Sequence, residues 1–427
     1  MIIKKVLVIG SGGREHAICK QLLNSSQKIK IFALPGNAGI GKIAENVLSI
    51  QPDNYIEIVN FCNSNNIDIV IIGPEKPLTD GLVDILNENK IKVFGPSKIA
   101  SQLEGSKIFM KDLVSKNSIP TAHYKTFDDA KLAIEFLKQV EFPTVIKTDG
   151  LASGKGVIIP KNFEEGKEAI NQIFSGKFGD AGKRIIIEEF MEGFEVSYFI
   201  ICDGKNFIPL GFAHDHKKVG ENETGLNTGG MGTYSPSPFV DKNLEEKIIR
   251  KIIRPTLKAM DRLNASFTGI LFAGLMIVKN EPKLIEFNIR FGDPEAQVIL
   301  PRIKTDFLSI IESAINQDLD KIKIEFDEQS KLVCVVMASK GYPENYKKGT
   351  TIKIDESLDK VNNLSILHAG TILNNQELTS DGGRVLNIIA KANNFKTARS
   401  IAYEAIDKID WQDGFYRTDI AKKAENF

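Results

Sequence analysis

The stretch Leu284–Glu295, LIEFNIRFGDPE, has residue types and spacing suited to chemistry. Laid out as a strand, it sends successive side chains to opposite faces. Ile285, Phe287, Ile289 and Phe291 then share one face, and Glu286, Asn288 and Arg290 the other. Residues two apart on a strand lie roughly 6.5–7 Å apart along the backbone, so Glu286 and Asn288 can converge on one cation. A carboxylate and an amide oxygen are hard ligands, suited to Mg2+ or Mn2+ held jointly with substrate phosphates. Arg290, one pleat on, would reach a phosphoryl oxygen, and Gly292-Asp293-Pro294 would end the strand in a turn. In isolation the pattern also fits an amphipathic strand with a solvated polar face. The elements around it decide between the two.

A second set of such residues precedes this strand. From Glu104 to about Asp327, Lys107 opens a helical run, Ile108–Lys116, and Pro143–Lys147 reads as a strand ending in Lys147. The loop 149–156, DGLASGKG, with Gly154, Lys155 and Gly156, leads into a further strand, Val157–Ile159. A phosphate loop of the G-x-x-x-x-G-K-[ST] type runs into a helix. Here the spacing is shorter, Gly156 replaces the hydroxyl residue, and a strand follows. That arrangement predicts a lid whose N–H groups and Lys155 contact phosphates and whose closure excludes water. Arg184–Glu188 is β-rich and runs into Glu188-Glu189-Phe190-Met191, with Glu195 on the next strand, Glu195–Ile201. Backbone groups past a strand end can pair with an adenine edge, and a nearby carboxylate with a ribose; alone, the segment also reads as an exposed acidic turn. His214 and His216 would share a strand face as a metal pair, or serve only in hydrogen bonds, since no third soft ligand is near. The Gly-, Asn- and Thr-rich span Val219–Pro238 reads as a long loop packed on a ligand. Lys251–Leu263 reads as a helix, and Leu271–Lys279 with Lys283–Asn288 as the hairpin that delivers the metal strand.

These residues need a scaffold, and the first hundred supply one. Apolar runs at Val6–Ile9, Ile29–Leu34, Ile67–Ile72 and Ile91–Phe94 alternate with helical patterns at Glu15–Leu23, Tyr55–Asn63 and Leu78–Asn87. Such alternation predicts a parallel sheet with right-handed crossovers, binding ligands beyond the carboxyl ends of its strands. Turns of small residues stand at those ends: Gly12, Gly13, Arg14 and Glu15; Gly36 and Asn37; Gly73, Pro74 and Glu75. A dinucleotide site is excluded, because Glu15 replaces the third glycine of G-x-G-x-x-G and no acid lies between His16 and Lys42. A small phosphorylated substrate fits better, its phosphate on Gly12, Gly13 and Arg14 and an amine met by Glu15 or Glu75. The alternative is turn chemistry alone.

With 427 residues, several domains are expected. Basic and acidic residues number 55 each, so no charge excess points to nucleic acid. The four cysteines are far apart, without a C-x-x-C pair, which argues for reduced thiols in a cytoplasmic compartment. MIIKKVLVIG reads as a first strand rather than a signal peptide, and no apolar run could span a bilayer.

GSGGREHA, PGNAG, GPEKPL, LEGSK, VIKTDGLASGKGV, IEEFMEG, DHKKVG, TGLNTGGMGTYSP, IEFNIRFGDPE, HAGT and DGGRVL follow one another along the chain. Together they closely resemble the phosphoribosylamine–glycine ligase family of the ATP-grasp superfamily. The resemblance implies a multidomain α/β and α+β enzyme: an N-terminal parallel-sheet domain over 1–103, an ATP-grasp domain over 104–327 with a lid subdomain at about 120–192, and a small mixed C-terminal domain over 328–427. It implies a C–N ligase of purine synthesis, dependent on ATP and Mg2+ or Mn2+, that joins glycine and 5-phosphoribosylamine through glycyl phosphate. By position it makes Glu286 and Asn288 metal ligands, and Lys107, Lys147 and Lys155 phosphate contacts. Glu188–Met191 become the adenine hinge and Glu195 the ribose contact. Arg290, Lys155 and Asp293 stand at the reacting groups, and Asp215, Lys217, Asn227 and Thr228 among the substrate contacts. Ile289 stands where members often have Cys, and Leu271–Val278 lacks the further metal-binding carboxylate of many ATP-grasp enzymes. A single-function cytoplasmic enzyme, monomeric or weakly dimeric, with no nucleic-acid or membrane partner, is expected. Another ATP-grasp carboxylate ligase or carboxylase, and an ATP sensor without turnover, are the competing classes; the three N-terminal turns and Arg290, Asp293 and Lys155 speak against them.

Overall fold

Apolar runs in the N-terminal segment pair as a five-stranded parallel sheet in a computed structural model that describes residues 3–151 and 156–427. Its strands lie in the order Glu45–Asn46, Ile29–Pro35, Lys4–Gly10, Ile69–Ile72 and Val93–Phe94. Val6, Leu7, Val8 and Ile9 are all fully buried, as expected of a sheet covered on both faces. Because the chain winds outward from Lys4–Gly10 in both directions, a crevice opens at that strand's carboxyl end. The turns after Gly10 and Ile72 lie there. The helix expected over Leu78–Asn87 is two, Glu75–Asp80 and Leu82–Glu88. Gly81 separates them at φ 99°, a conformation that suits glycine.

A second, nine-stranded sheet is largely antiparallel. It begins with the expected hairpin, Thr268–Val278 and Glu281–Asn288, and continues through Phe194–Asp203 and Phe207–Asp215. Gly232–Ser235 then joins it to Lys331–Ser339, Arg384–Ala392 and Leu364–His368. The C-terminal segment therefore extends the sheet that carries Glu286 and Asn288. The long loop expected over Val219–Pro238 is partly ordered: it holds this bridging strand, and Thr224–Asn227 pairs with Lys218–Gly220. The helix expected at Lys251–Leu263 starts earlier, as Lys242–Ile248, and passes through a π-helical turn into Arg254–Arg262. Tyr124–Phe127, Ile185–Glu189, Thr144–Thr148 and Val157–Ile158 form a separate four-stranded sheet, within the span 120–192 expected to be a lid. No helix among the described residues is long and apolar enough to cross a membrane.

The strand Glu281–Asn288 differs from a regular pleat. Gly274 faces Glu286 and Leu275 faces Leu284, so Ile285 is an extra, bulged residue. Leu284 therefore enters the core with Phe287 and Ile289, while Ile285 stays half-buried. The strand ends at Asn288, and Arg290 lies beyond it.

The N- and C-terminal segments are clasped by two histidines. The His368 N–H donates to His16 Nδ1 at 2.8 Å, and His368 Nδ1 pairs with Thr371 Oγ1 at 3.1 Å. Asn37 donates to the carbonyls of Ser11 and His368 at 2.8 and 2.9 Å. Burial, aided by His368, Lys20 and Lys42, holds His16 down to about 3 against the backbone hydrogen bond, and burial with Lys42 holds His368 at about 4. Both rings are therefore neutral when folded, whereas an unfolded His protonates near 6.5. Stability from the pair is present above that pH and is lost as pH falls toward 4 and 3. His16 should account for about 2 kcal/mol of the loss between pH 7 and pH 5. Urea unfolding at both pH values should show a smaller loss in His16→Asn than in wild type. Equal losses would mean that His16 charges as readily folded as unfolded.

Candidate active site

Arg290 emerges just past the end of the strand Glu281–Asn288 into two carboxylates. Its Nε lies 3.1 Å from Glu75 Oε2 and its Nη2 2.9 Å from Glu104 Oε1. The other Glu104 oxygen accepts the Ile289 N–H at 2.9 Å. Glu104, just before the helix Lys107–Lys116, thus fixes both backbone and side chain directly after Asn288. Arg290 draws the Glu75 carboxyl down to about 2, against its burial. Burial opposes the Arg290 charge, but Glu104 and Glu75 more than compensate and raise its pKa. Glu104 itself is raised by burial despite Arg290.

The N-terminal turns meet this cluster through Glu15. Glu15 takes the Gly12 N–H and Arg14 Nε, each at 2.6 Å, so both its oxygens are engaged within the chain. A Cβ on Gly73 would sit 2.0 Å from Glu15 Oε1, and one on Gly10 2.6 Å from its Cδ. These glycines make room for Glu15, not for a pyrophosphate. Arg14 is buried and also donates to the Phe291 carbonyl at 3.1 Å through Nη1, so its guanidinium is held between Glu15 and the backbone past Arg290. Gly12 packs on Asp293 and Glu15, and Gly13 on Asn387 and Gln297. Asn37, expected to touch substrate, spends its amide on the clasp and its Oδ1 on the N–H groups of Gly39 and Ile40, each at 2.9 Å. Gly36 packs on Asn46, and Pro74 starts the helix that carries Glu75.

Glu286 and Asn288 are brought together with the cations. Burial would raise the Glu286 carboxyl, but Lys217, Lys147, Lys107 and Arg290 hold it below the usual range. Lys107 Nζ donates to the Gly150 carbonyl at 2.8 Å, and burial lowers its pKa. Asp149 accepts from Ser106 Oγ and the Ile108 N–H, at 3.0 and 3.2 Å, and pairs with Arg184 at 2.6 Å. The helix start is thereby fastened to the loop 149–156. The Gly156 carbonyl accepts the Thr148 N–H at 2.9 Å, while Gly154 and Lys155 lie outside the described residues. Lys147 pairs with Glu188 at 3.0 Å. Glu189, paired with Lys283 at 3.1 Å, ends the lid strand, and the partly exposed Phe190 and Met191 follow. Lys217 pairs with Glu195 at 2.8 Å. No cluster of three His, Cys, Asp or Glu ligands occurs among the described residues. The donor set of Glu286 and Asn288 fits a hard cation whose remaining positions are filled by phosphate oxygens and water.

Past the strand, Asp293 accepts the Arg14 N–H at 3.3 Å and Gln297 Nε2 at 2.8 Å, and faces Arg384 at 3.6 Å. Burial raises its carboxyl, but Arg384 and Arg14 bring it below the usual range. Asp215 and Glu295 are both raised, chiefly by burial. Asp215 Oδ1 has no partner among the described residues, and a Cβ on Gly230 would come within 2.6 Å of it. Thr228, expected at the substrate, has its hydroxyl on the Lys217 carbonyl at 2.8 Å, and Asn227 pairs with Lys218 across the small hairpin. His214 and His216 form no metal pair: His214 bonds Ser237, and His216 bonds Glu223 and the Ala421 N–H. Sequence reasoning assigns no roles to Glu104, Lys111, Glu295 and Arg384. Glu104 and Arg384 lie inside distinctive motifs, but nothing in the spacing marks Lys111.

Replacing a carboxylate that orients a reacting group generally costs about 10–100-fold in activity. Glu104→Gln should lower turnover within that range while circular dichroism shows the fold retained. Turnover within twofold of wild type would remove Glu104 from the site.

Comparison with known proteins follows the same division. Residues 4–104, 105–296 and 332–423 match the N domain, ATP-grasp (A) domain and C domain of phosphoribosylglycinamide synthetase. A phosphoribosylamine–glycine ligase of Brucella melitensis is 46% identical over 98% of this chain and 98% of its own length. The chloroplastic enzyme of that name from Arabidopsis thaliana is 45% identical over 96% of this chain and 78% of its own. The crystal structure of the Thermotoga maritima phosphoribosylamine–glycine ligase superposes with a TM-score of 0.84 at 30% identity, covering 97% of this chain and 99% of that one. A biotin carboxylase from Campylobacter jejuni shares the fold, with a TM-score of 0.74 at 16% identity over 96% of this chain and 93% of its own. Matched in all three of its parts, the chain belongs to the phosphoribosylglycinamide synthetase family of ATP-grasp enzymes.

Proposed function

We propose that the chain is an ATP-dependent C–N ligase that joins glycine to 5-phosphoribosylamine, giving glycinamide ribonucleotide, ADP and phosphate in purine biosynthesis. The observation that carries this reading is a Glu286 carboxylate kept charged among Lys107, Lys147, Lys217 and Arg290, in a chain 46% identical to a ligase of that name. Glycine's carboxylate is a poor electrophile, because its charge is delocalised and oxide cannot leave. Transfer of the terminal phosphoryl group of ATP to one carboxylate oxygen makes glycyl phosphate, which the sugar amine attacks with phosphate as leaving group. Lys107 and Lys147 would bind the nucleotide's phosphates, and Arg290 would neutralise charge gathering on the transferring group. Asp215, whose Oδ1 is buried without a partner among the described residues, would accept a hydrogen bond from a substrate amine. Phe190, Met191 and Glu195 would hold the adenosine. Glu286 and Asn288 would hold Mg2+ or Mn2+, which supplies Lewis-acid stabilisation of phosphoryl oxygens when bound. The lid sheet would close over the acyl phosphate and keep water from it. The small-molecule substrates suit a cytoplasmic enzyme, working as a monomer or weak dimer without a nucleic-acid partner.

Two measurements test the reading. Release of ADP and phosphate should require glycine and phosphoribosylamine together; phosphate release with neither present would favour an ATPase. Glu286→Gln keeps shape but removes charge from the cation site. Its turnover should fall by about two orders of magnitude or more, as when a transition-state contact is lost, and its response to added Mg2+ should weaken. Wild-type turnover in that variant would sink the metal assignment.

A further inference from the structure

Glu188 is buried between two lysines on one oxygen. Its Oε2 lies 3.0 Å from Lys147 Nζ and 3.2 Å from Lys111 Nζ, and its Oε1 has no partner among the described residues. The two lysines are not equivalent. Lys147 has no other ion-pair partner among the described residues, and its charge acts on Lys107 and Glu286 across the cleft. Lys111 is fully buried and is anchored a second time, donating to Thr121 Oγ1 at 2.7 Å, whose hydroxyl in turn donates to the Leu284 carbonyl at 2.7 Å. It stands four residues beyond Lys107, on the same side of the helix Lys107–Lys116. Two ammonium groups against one carboxylate leave an excess positive charge, which suits an arriving anion. A buried carboxylate abandoned by its only cation would be strongly disfavoured. Lys147 could therefore not move to a phosphate unless Glu188 kept another partner.

We propose that Lys111 is a positioning residue for the nucleotide: it holds Glu188 so that Lys147 can leave that carboxylate for the phosphates of ATP. This rests on the reading of Lys147 as a phosphate contact. Burial brings the Lys111 ammonium down to about 8, in part because Lys147 shares its partner, while Glu188 keeps it charged at neutral pH. Removing Lys111 leaves Glu188 with Lys147 alone, and ATP must then break that pair.

The test is a mutant cycle read by steady-state kinetics. Lys111→Met should raise the KM for ATP about tenfold or more, with the KM for glycine within about twofold, because only nucleotide binding opens the pair. In a Glu188→Gln background the same substitution should change the KM for ATP by less than about twofold, because the carboxylate that needs a partner is gone. An unchanged KM for ATP in Lys111→Met, or equal effects in both backgrounds, would overturn the proposal. Lys147→Met separates the two levels. If it raises the KM for ATP while Lys111→Met does not, only the role of Lys111 fails; if it leaves that constant unchanged, the nucleotide reading fails as well. Should Lys111→Met not fold, a structure of the wild-type enzyme with a non-hydrolysable ATP analogue decides. Lys111 should stay on Glu188 with Lys147 on a phosphate oxygen, and Lys147 still seated on Glu188 would overturn the proposal.

Discussion

Arg290 gripped by Glu75 and Glu104 is the contact on which the site depends. Glu75 comes from the N-terminal parallel sheet, Glu104 from the segment leading into the nucleotide-binding part, and Arg290 from the end of the metal strand. One guanidinium thereby sets three parts of the chain against each other, a few residues from Glu286 and Asn288. The planar fork of arginine suits this role, since it can address two carboxylates at fixed angles. Its charge is nearly removed from water, so losing one partner would leave the rest uncompensated rather than simply weaker. The contact is accordingly better understood as fixing geometry than as adding stability.

Around that clamp, charge is balanced locally. Lys147 and Lys111 sit on Glu188, Lys217 on Glu195, and Arg14 on Glu15. The cations around the candidate nucleotide site are thus each balanced by a carboxylate of the chain itself. The antiparallel sheet complements this arrangement. It runs from the metal strand through Gly232–Ser235 into the C-terminal segment, so Asp215, Arg384 and Asp293 are set by one continuous framework. The four-stranded sheet that holds Thr144–Thr148 and Ile185–Glu189 is separate from it.

Much of this is legible in the sequence, because alternation and strand–helix rhythm are local. The first sheet, the hairpin and the pairing of Glu286 with Asn288 follow from periodicity. The bulge at Ile285 does not, since two apolar residues in succession look the same whether or not one is extra. The glycines of the first turns are visible, but not what occupies the space they leave. Glu15, which reads as a group waiting for a ligand, fills that space itself. The strand Gly232–Ser235 is hidden because its partners are distant in sequence and its composition is that of a loop. Lys111 escapes notice for a related reason: a lysine on a helix looks like solvent-exposed surface until tertiary packing buries it completely.

The central claim is that this framework activates a carboxylate by phosphorylating it. Glycine labelled with heavy oxygen in both carboxylate positions tests it most directly, with mass analysis of the phosphate released during turnover. The acyl-phosphate route predicts one heavy oxygen in each inorganic phosphate, carried over from glycine when the amine displaces it. Phosphate free of label, with one heavy oxygen kept in the amide product and the other lost to water, would contradict the route and, with it, the charge-neutralising roles of Arg290 and the lysines.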